Sequence, residues 1–312
     1  MTKKNNRIRV AVLMGGPSAE YEISLRTGRM VLKHLDRKKY WAKGVRISKK
    51  GKWPIIPTEI KKQFDVAFIA MHGEYGEDGT VQKILTKYKI PFTGSGAMAS
   101  QSGMDKVKSA RLFVDKGLSV PEFSVIGGVN KLMFNFPVVV KPVDRGSSVG
   151  VSIVRTLQDL PAALKLAQKY SKRIMVQKFI KGRELSCGVL EIDGKARALP
   201  PTEIIPKGGK FFDYKAKYTA GASHEITPAR LTREATKEAQ EAALKAHKAI
   251  GAKGYSRTDM ILGEGGEVYV LEINTLPGLT EGSLLPQQAK AEGVGFSELL
   301  DVIIKSALNI KR

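Results

Sequence analysis

Apolar residues fall into short runs separated by polar, glycine-rich stretches, and their spacing switches repeatedly between strand-like and helix-like. Arg7 to Met14 alternates toward a buried strand and ends in Gly-Gly-Pro. Glu20 to Leu35 has helical spacing, with Ile23, Met30, Val31 and Leu35 on or near one face. Val66 to Met71 is a continuous apolar run, as a parallel strand covered on both faces would be. It runs into HGEYGEDGT, and Val81 to Tyr88 reads as the next helix. The turn-rich IPFTGSG then predicts a boundary. Strands alternating with helices predict an open α/β sheet for residues 1–94.

Beyond that boundary the spacing predicts a helix over Asp105 to Lys116, closed by Gly117, and a buried strand at Val138 to Val140. A glycine-serine loop leads to a strand at Val149 to Val154. Thr156 opens a capping pattern with Asp159, and a helix runs to about Tyr170. Arg173 to Ile180 is another strand, and from Glu184 a hairpin turns at Asp193-Gly194. Pro206 to Pro228 is polar and glycine-rich, has no clear period, and reads as a functional lid. Thr232 to Ile250 is an amphipathic helix. Tyr255 to Ile261 and Glu267 to Ile273 are strands joined by GEGG, and helices near Leu284 to Glu292 and Ser297 to Leu308 end the chain.

The 312 residues suffice for two domains of roughly 150 residues, or three small ones. At 42% apolar and 26% charged, the chain fits neither long disorder, collagen nor coiled coil. No apolar stretch approaches the roughly 18 uncharged residues of a membrane helix, and the N-terminal apolar run reads as a strand, not a signal peptide. One cysteine, Cys187, permits no intramolecular disulfide and points to a reducing cytoplasm. It lies on a strand and reads as buried and inert. Fifty-two basic against 30 acidic residues give +22, a field that attracts nucleic acid, anionic membrane or phosphorylated small molecules. The lysines are spread along the chain, so the charge reads as surface composition and not as a docking stripe.

Candidate chemistry concentrates in RTDMILGEGGEVYVLEINTLPG. Residues two apart on a strand share a face, so Arg257 goes with Asp259, and Glu272 with Asn274. If the two strands pair, two carboxylates and an amide oxygen converge, a hard-oxygen set for Mg²⁺ bridging phosphates. Arg257 beside them could stabilise a phosphorylated transition state. The competing reading is a solvated hairpin face. In VVVKPVDRGSSVGV a lysine, Lys141, ends a buried strand before a loop whose backbone N–H groups can cradle phosphate, though an ordinary Gly-Ser hairpin fits as well. His72 follows a buried strand, where α/β sheets place ligands, but a hydrogen-bonded structural histidine is equally compatible. Glu20 and Glu22 open a helix, where negative charge is favoured in any case. His34 and His247 fall in helices and read as surface residues, and His224 has no assigned role.

These four segments, in their order along the chain, resemble the D-alanine–D-alanine ligases of the ATP-grasp superfamily, from about Val10 to Leu308. The family's histidine signature HGxxGEDGxxQG matches His72 to Gln82, with Lys83 in place of its last glycine. A second signature, built around R-x-D and LExNxxPG, matches Ser256 to Gly278, with Thr258 where an aliphatic residue is usual. The resemblance implies an α/β N-terminal domain (1–94) followed by a two-subdomain, α+β ATP-grasp fold (95–184 and 185–312) with a mobile loop near 207–223. It implies ligation of two D-alanines through an acyl phosphate, with ATP and two Mg²⁺ or Mn²⁺ ions, for peptidoglycan precursor synthesis. Another ATP-grasp carboxylate–amine ligase is the near alternative, and a basic nucleic-acid binder the distant one.

By the same resemblance, Asp259, Glu272 and Asn274 hold the metals, and Arg257 with the Gly278 N–H stabilises charged intermediates. Lys106, Lys141, Ser147, Ser148, Gln177, Lys178, Ile180 and Glu184 meet ATP. Some members carry glutamate where Gln177 stands. Glu20, Ser147 and Tyr218 match a hydrogen-bonded trio that orders the site and its lid. Glu20, His72, Lys217, Ser283 and Leu284 match substrate-binding positions, and Tyr218 argues for an amine as second nucleophile. D-Alanine and ATP are the expected partners, with a cytoplasmic homodimer as the assembly and no membrane or specific nucleic acid.

Overall fold

A computed structural model describes residues 7–126, 135–206 and 223–309. The first sheet is parallel. Its central strand, β1 (Ile8–Gly15), lies between β2 (Tyr40–Ile47) and β3 (Val66–Ile69). Val10 to Leu13 are fully buried, as expected of a central parallel strand. Helix α1 (Tyr21–His34) packs on β1 and β2, α2 (Pro57–Gln63) leads into β3, and α3 (Thr80–Lys87) follows the histidine segment. The C-terminal helices α8 (Leu284–Ala291) and α9 (Phe296–Asn309) return to this part of the molecule. Leu285, Leu299, Leu300, Ile303 and Ile304 share one core with Val10 to Leu13.

The second sheet is antiparallel, in the order β4 (Phe123–Ile126), β7 (Ile174–Lys178), β5 (Val138–Pro142), β6 (Ser152–Val154), with α6 (Leu160–Gln168) against it. The third sheet is also antiparallel. It runs β11 (Ser223–Ile226), β10 (Thr202–Pro206), β8 (Gly182–Ile192), β12 (Tyr255–Gly263), β13 (Val268–Asn274), with β9 (Lys195–Ala198) also on β8. Helix α7 (Arg233–Ala249) covers it with Ala239, Ala242, Ala243 and Ala246, a stripe at helical spacing. Thr232 caps this helix through the Ala235 N–H.

Helices α4 (Ala97–Met104) and α5 (Lys106–Asp115) connect the parts. Asp105 caps α5, accepting from the Val107 and Lys108 N–H groups. One face of α5 sets Phe113 into the third sheet's core, while Val107 and Ala110 meet Val143 and Met175 beside the second sheet. The helix thereby spaces the two antiparallel sheets.

Three expectations need correction. His247 is 1% exposed, not a surface residue, because α7 lies flat on the third sheet and turns it toward Ser256 and Glu191. His34 is half-buried, edge-on to Phe296. Part of the unassigned Pro206 to Pro228 stretch is regular: β11 pairs with β10, from Glu203 opposite Ile226 to Pro206 opposite Ser223. Strand β2 and helix α4 were missed. One lysine, Lys43, and one arginine, Arg46, among Tyr40, Val45 and Ile47 hide the strand's buried positions.

Candidate active site

The third sheet builds the acidic face, and a bulge decides its register. From Leu262 opposite Val268 to Met260 opposite Val270, β12 and β13 pair regularly. The register then shifts by one, so Asp259 faces Glu272, Thr258 faces Ile273, and Arg257 faces Asn274. Without the shift, Glu272 would oppose Thr258, which is fully buried. The extra residue is Leu271, which lines the same cavity as Glu272.

Asp259 is 8% exposed and accepts three hydrogen bonds. Arg257 donates from Nε to Oδ1 at 2.9 Å and from Nη2 to Oδ2 at 2.8 Å, and Ser186 donates to Oδ1 at 2.7 Å. Lys106, 6% exposed, lies 3.4 Å from Glu272 Oε2. Asn274 Oδ1 accepts from the Leu276 N–H at 2.8 Å, which fixes the amide. Two carboxylates and an amide oxygen at adjacent ladder positions suit a hard divalent cation. Both carboxylates already face cations of the chain, so the site is organised around charge neutralisation. Among the described residues no group of three or more His, Cys, Asp or Glu could hold a metal ion.

Two cavities adjoin here. One, of about 580 Å³, is lined by residues of the second and third sheets. Lys106, Lys141, Ser148, Gln177, Lys178, Ile180 and Glu184 line it, together with Asp259 and Glu272. Lys141 is buried, and Gln177 donates to the Pro121 carbonyl at 3.4 Å. The other cavity, about 760 Å³, is lined by His72, Ser147, Arg257, Asn274, Gly278, Ser283 and Leu284. Lys106 and Glu272 line both. Ser147, expected at ATP, thus faces the second cavity, while Ser148 faces the first.

The loop between β5 and β6 separates these serines by left-handed backbone at both, with φ of 54° and 56°. Such strain in a non-glycine residue is characteristic of functional loops. Ser147 donates to Glu20 Oε1 at 2.5 Å, and Lys106 Nζ donates to the Arg145 carbonyl at 2.5 Å. Gly73 lets Glu20 come close: with φ +70°, a Cβ there would lie 2.7 Å from Glu20 Oε2. His72 is held between Thr27, 2.9 Å from Nε2, and Glu77, 3.3 Å from Nδ1. Ser283 Oγ lies 2.8 Å from Thr280 Oγ1, and Leu284 meets Ile204. Lys217 and Tyr218 lie outside the described residues. Cys187 is fully buried, burial pushes its thiol up to about 12, and it takes no part. Sequence reasoning missed Ser186, Glu77 and Glu203. Glu77 lay inside the histidine signature, but Ser186 carried no signal beyond strand alternation with Glu184.

Glu203, buried in the lining of the first cavity, accepts from Arg183 at 3.0 Å and from Arg230 at 3.0 Å. Burial alone would raise its carboxyl, but the two guanidiniums hold it below the usual range.

Comparison with known proteins matches this architecture. The family model described as D-ala D-ala ligase N-terminus matches residues 9–61 and 55–95, and that described as D-ala D-ala ligase C-terminus matches 117–305. A D-alanine–D-alanine ligase of Geobacter sulfurreducens is 44% identical over 310 residues, covering 97% of this chain and 95% of that protein. One of Syntrophobacter fumaroxidans is 43% identical over 314 residues, covering 97% and 98%. Among solved structures, VanG D-Ala:D-Ser ligase from Enterococcus faecalis superposes with a TM-score of 0.87 at 32% identity, covering 96% and 99% of the two chains. The D-alanine–D-alanine ligase of Bacillus anthracis complexed with ATP gives 0.82 at 34% identity, covering 96% and 97%. The chain belongs to the D-alanine–D-alanine ligase family, with its ATP-grasp fold.

Proposed function

We propose that this chain joins two D-alanines at the expense of ATP, in a cytoplasmic homodimer that supplies peptidoglycan synthesis. The observation that carries the reading is the meeting of the two cavities at Lys106 and Glu272. ATP occupies the smaller cavity, with Gln177, Lys178, Ile180 and Glu184 about the adenosine and Lys106, Lys141 and Ser148 about the phosphates. The D-alanines occupy the larger one. Glu20, oriented by Ser147, holds the first ammonium near His72, and Ser283 and Leu284 receive the second carboxylate. Lys217 and Tyr218 belong to a lid that closes on both. Asp259, Glu272 and Asn274 hold two Mg²⁺ or Mn²⁺ ions, which neutralise the ATP phosphates when bound.

A carboxylate oxygen of the first D-alanine attacks the γ-phosphorus, the bond to the β–γ bridging oxygen breaks, and ADP leaves. The second D-alanine's ammonium loses a proton, the resulting amine attacks the acyl carbon, and the tetrahedral intermediate loses a proton from nitrogen and expels phosphate. Arg257 and the Gly278 N–H stabilise the charge that develops at each stage. Among the described residues no helix is long and apolar enough to cross a membrane. The +22 charge is surface composition, with no nucleic acid as a specific partner.

Phosphate release from ATP and Mg²⁺, with product mass spectrometry, tests this. D-Alanine-dependent release with D-alanyl-D-alanine as product is expected. Faster coupling of D-serine, D-lactate or an L-amino acid in the second position would overturn the substrate assignment. No release with any amino acid would overturn the ligase reading.

A further inference from the structure

One ladder rung of the third sheet ends in the acidic pair. Thr202 on β10 pairs with Ser186 on β8, Ser186 with Asp259 on β12, and Asp259 with Glu272 on β13. Opposed residues share a sheet face, so all four side chains belong to one surface. Ser186 Oγ donates to Asp259 Oδ1 at 2.7 Å, a bond that does not depend on Arg257. Its carbonyl accepts from Gln288 Nε2 at 2.8 Å, and the same amide reaches Thr202 Oγ1 at 3.1 Å. Ser186, Thr202 and Gln288 are fully buried.

Gln288 belongs to α8, the helix that Ser283 and Leu284 open. A Cβ on Gly188 would lie 2.5 Å from a Leu285 methyl and 2.7 Å from Gln288 Oε1, so glycine lets α8 settle on β8. Gln288 Oε1 has no partner among the described residues. A buried unpaired acceptor is costly, and an apolar side chain of like volume would avoid it, so packing does not account for the amide.

We propose that Ser186 and Gln288 are positioning residues. Ser186 fixes the Asp259 carboxylate for metal through its hydroxyl, and Gln288, bonded to the Ser186 carbonyl, holds that strand position against the helix bearing the second-substrate residues. The inference rests on the ligase reading and extends it to residues that touch neither substrate nor metal.

Mn²⁺ binding to the ADP complex, read by loss of the free-ion electron paramagnetic resonance signal, tests it without turnover. Ser186→Ala weakens Mn²⁺ binding about tenfold, the range for loss of an outer hydrogen-bond partner, and raises the Mg²⁺ needed for half-maximal rate in proportion. Its kcat at saturating Mg²⁺ changes much less, and Ser186→Thr, which restores a hydroxyl, recovers the affinity. Gln288→Met keeps the volume and removes the donors. It weakens Mn²⁺ binding in the same direction and raises KM for the second D-alanine, and it decides the matter if Ser186→Ala does not fold. Folded variants with wild-type Mn²⁺ affinity, or a folded Ser186→Thr that recovers nothing, overturn the positioning role alone. A wild-type ADP complex that binds no Mn²⁺ overturns the metal reading and this inference together.

Discussion

Two departures from regular backbone build this site, and they are held in different ways. The β13 bulge lies inside a ladder, with β12 paired to β8 on its other side. Glu272 therefore keeps its place because the strands keep theirs. The loop between β5 and β6 has no ladder through Ser147 and Ser148. It is held by side chains from elsewhere: Glu20 at Ser147, Lys106 at the Arg145 carbonyl, and Glu74 at the Arg145 guanidinium. In the ladder, changing a side chain removes chemistry and leaves geometry. In the loop it removes both.

The strongest test of that contrast is Glu272→Gln. It removes a charge from the proposed metal set while keeping volume and ladder. Turnover falls by about a thousandfold, the scale of several kcal/mol of lost charge stabilisation. The melting temperature stays within a degree or two of wild type. Near-normal turnover would take Glu272 out of the metal set, and a large loss of stability would show that the ladder does not hold the bulge by itself.

Ser147 tests the loop. Ser147→Gly loses the hydrogen bond to Glu20 but suits left-handed backbone, whereas Ser147→Ala loses the bond and keeps the strain. A hydrogen bond to a charged group is worth about 1.5–3 kcal/mol, so KM for the first D-alanine rises about tenfold or more in both. The alanine variant alone also becomes easier to cleave with protease in the loop. Equal KM for variants and wild type would remove Ser147 from the positioning of Glu20.

Glu203 lies between these extremes, on a ladder but held by two partly exposed arginines. Its folded carboxyl titrates below the ordinary 4.5. Its contribution is therefore present above that value and lost as pH falls through the lower, folded one. Glu203→Gln is less stable than wild type near neutrality, and the gap narrows as urea unfolding is repeated at lower pH. A gap that widened toward acid would reverse the sign of the coupling.

The same contrast explains what was legible in the sequence. Arg257, Asp259, Glu272 and Asn274 could be read because strand alternation sorts residues by face. That they could converge was read from strand pairing, but the register that brings them together was not, since regular pairing from the GEGG turn would have sent Glu272 to Thr258. Nothing in LEIN marks Leu271 as the bulged residue. His247 was misread because its helix is alanine-rich: a small-residue stripe lets the helix approach the sheet, and the polar residue beside it is buried as well. Ser186 was invisible because its partners are 73 and 102 residues away. His72 and the Gly-Ser loop were legible as chemistry, but the loop's division of Ser147 and Ser148 between two cavities depends on dihedral angles that no side-chain pattern encodes.

The smallest expected effect concerns the ion pair between Arg145 and Glu74, with side chains 35% and 53% exposed. An exposed pair is worth about 0–1 kcal/mol and weakens with salt. Glu74→Gln should leave KM for ATP and for D-alanine within about twofold of wild type, by the same energy scale. The difference should vanish at high ionic strength. That result would assign the loop's position to Ser147–Glu20 and Lys106, which lie deeper. A larger, salt-resistant rise in both constants would instead mean that the loop is latched to the histidine segment from its outer side, and that the ordering of its supports given above is inverted.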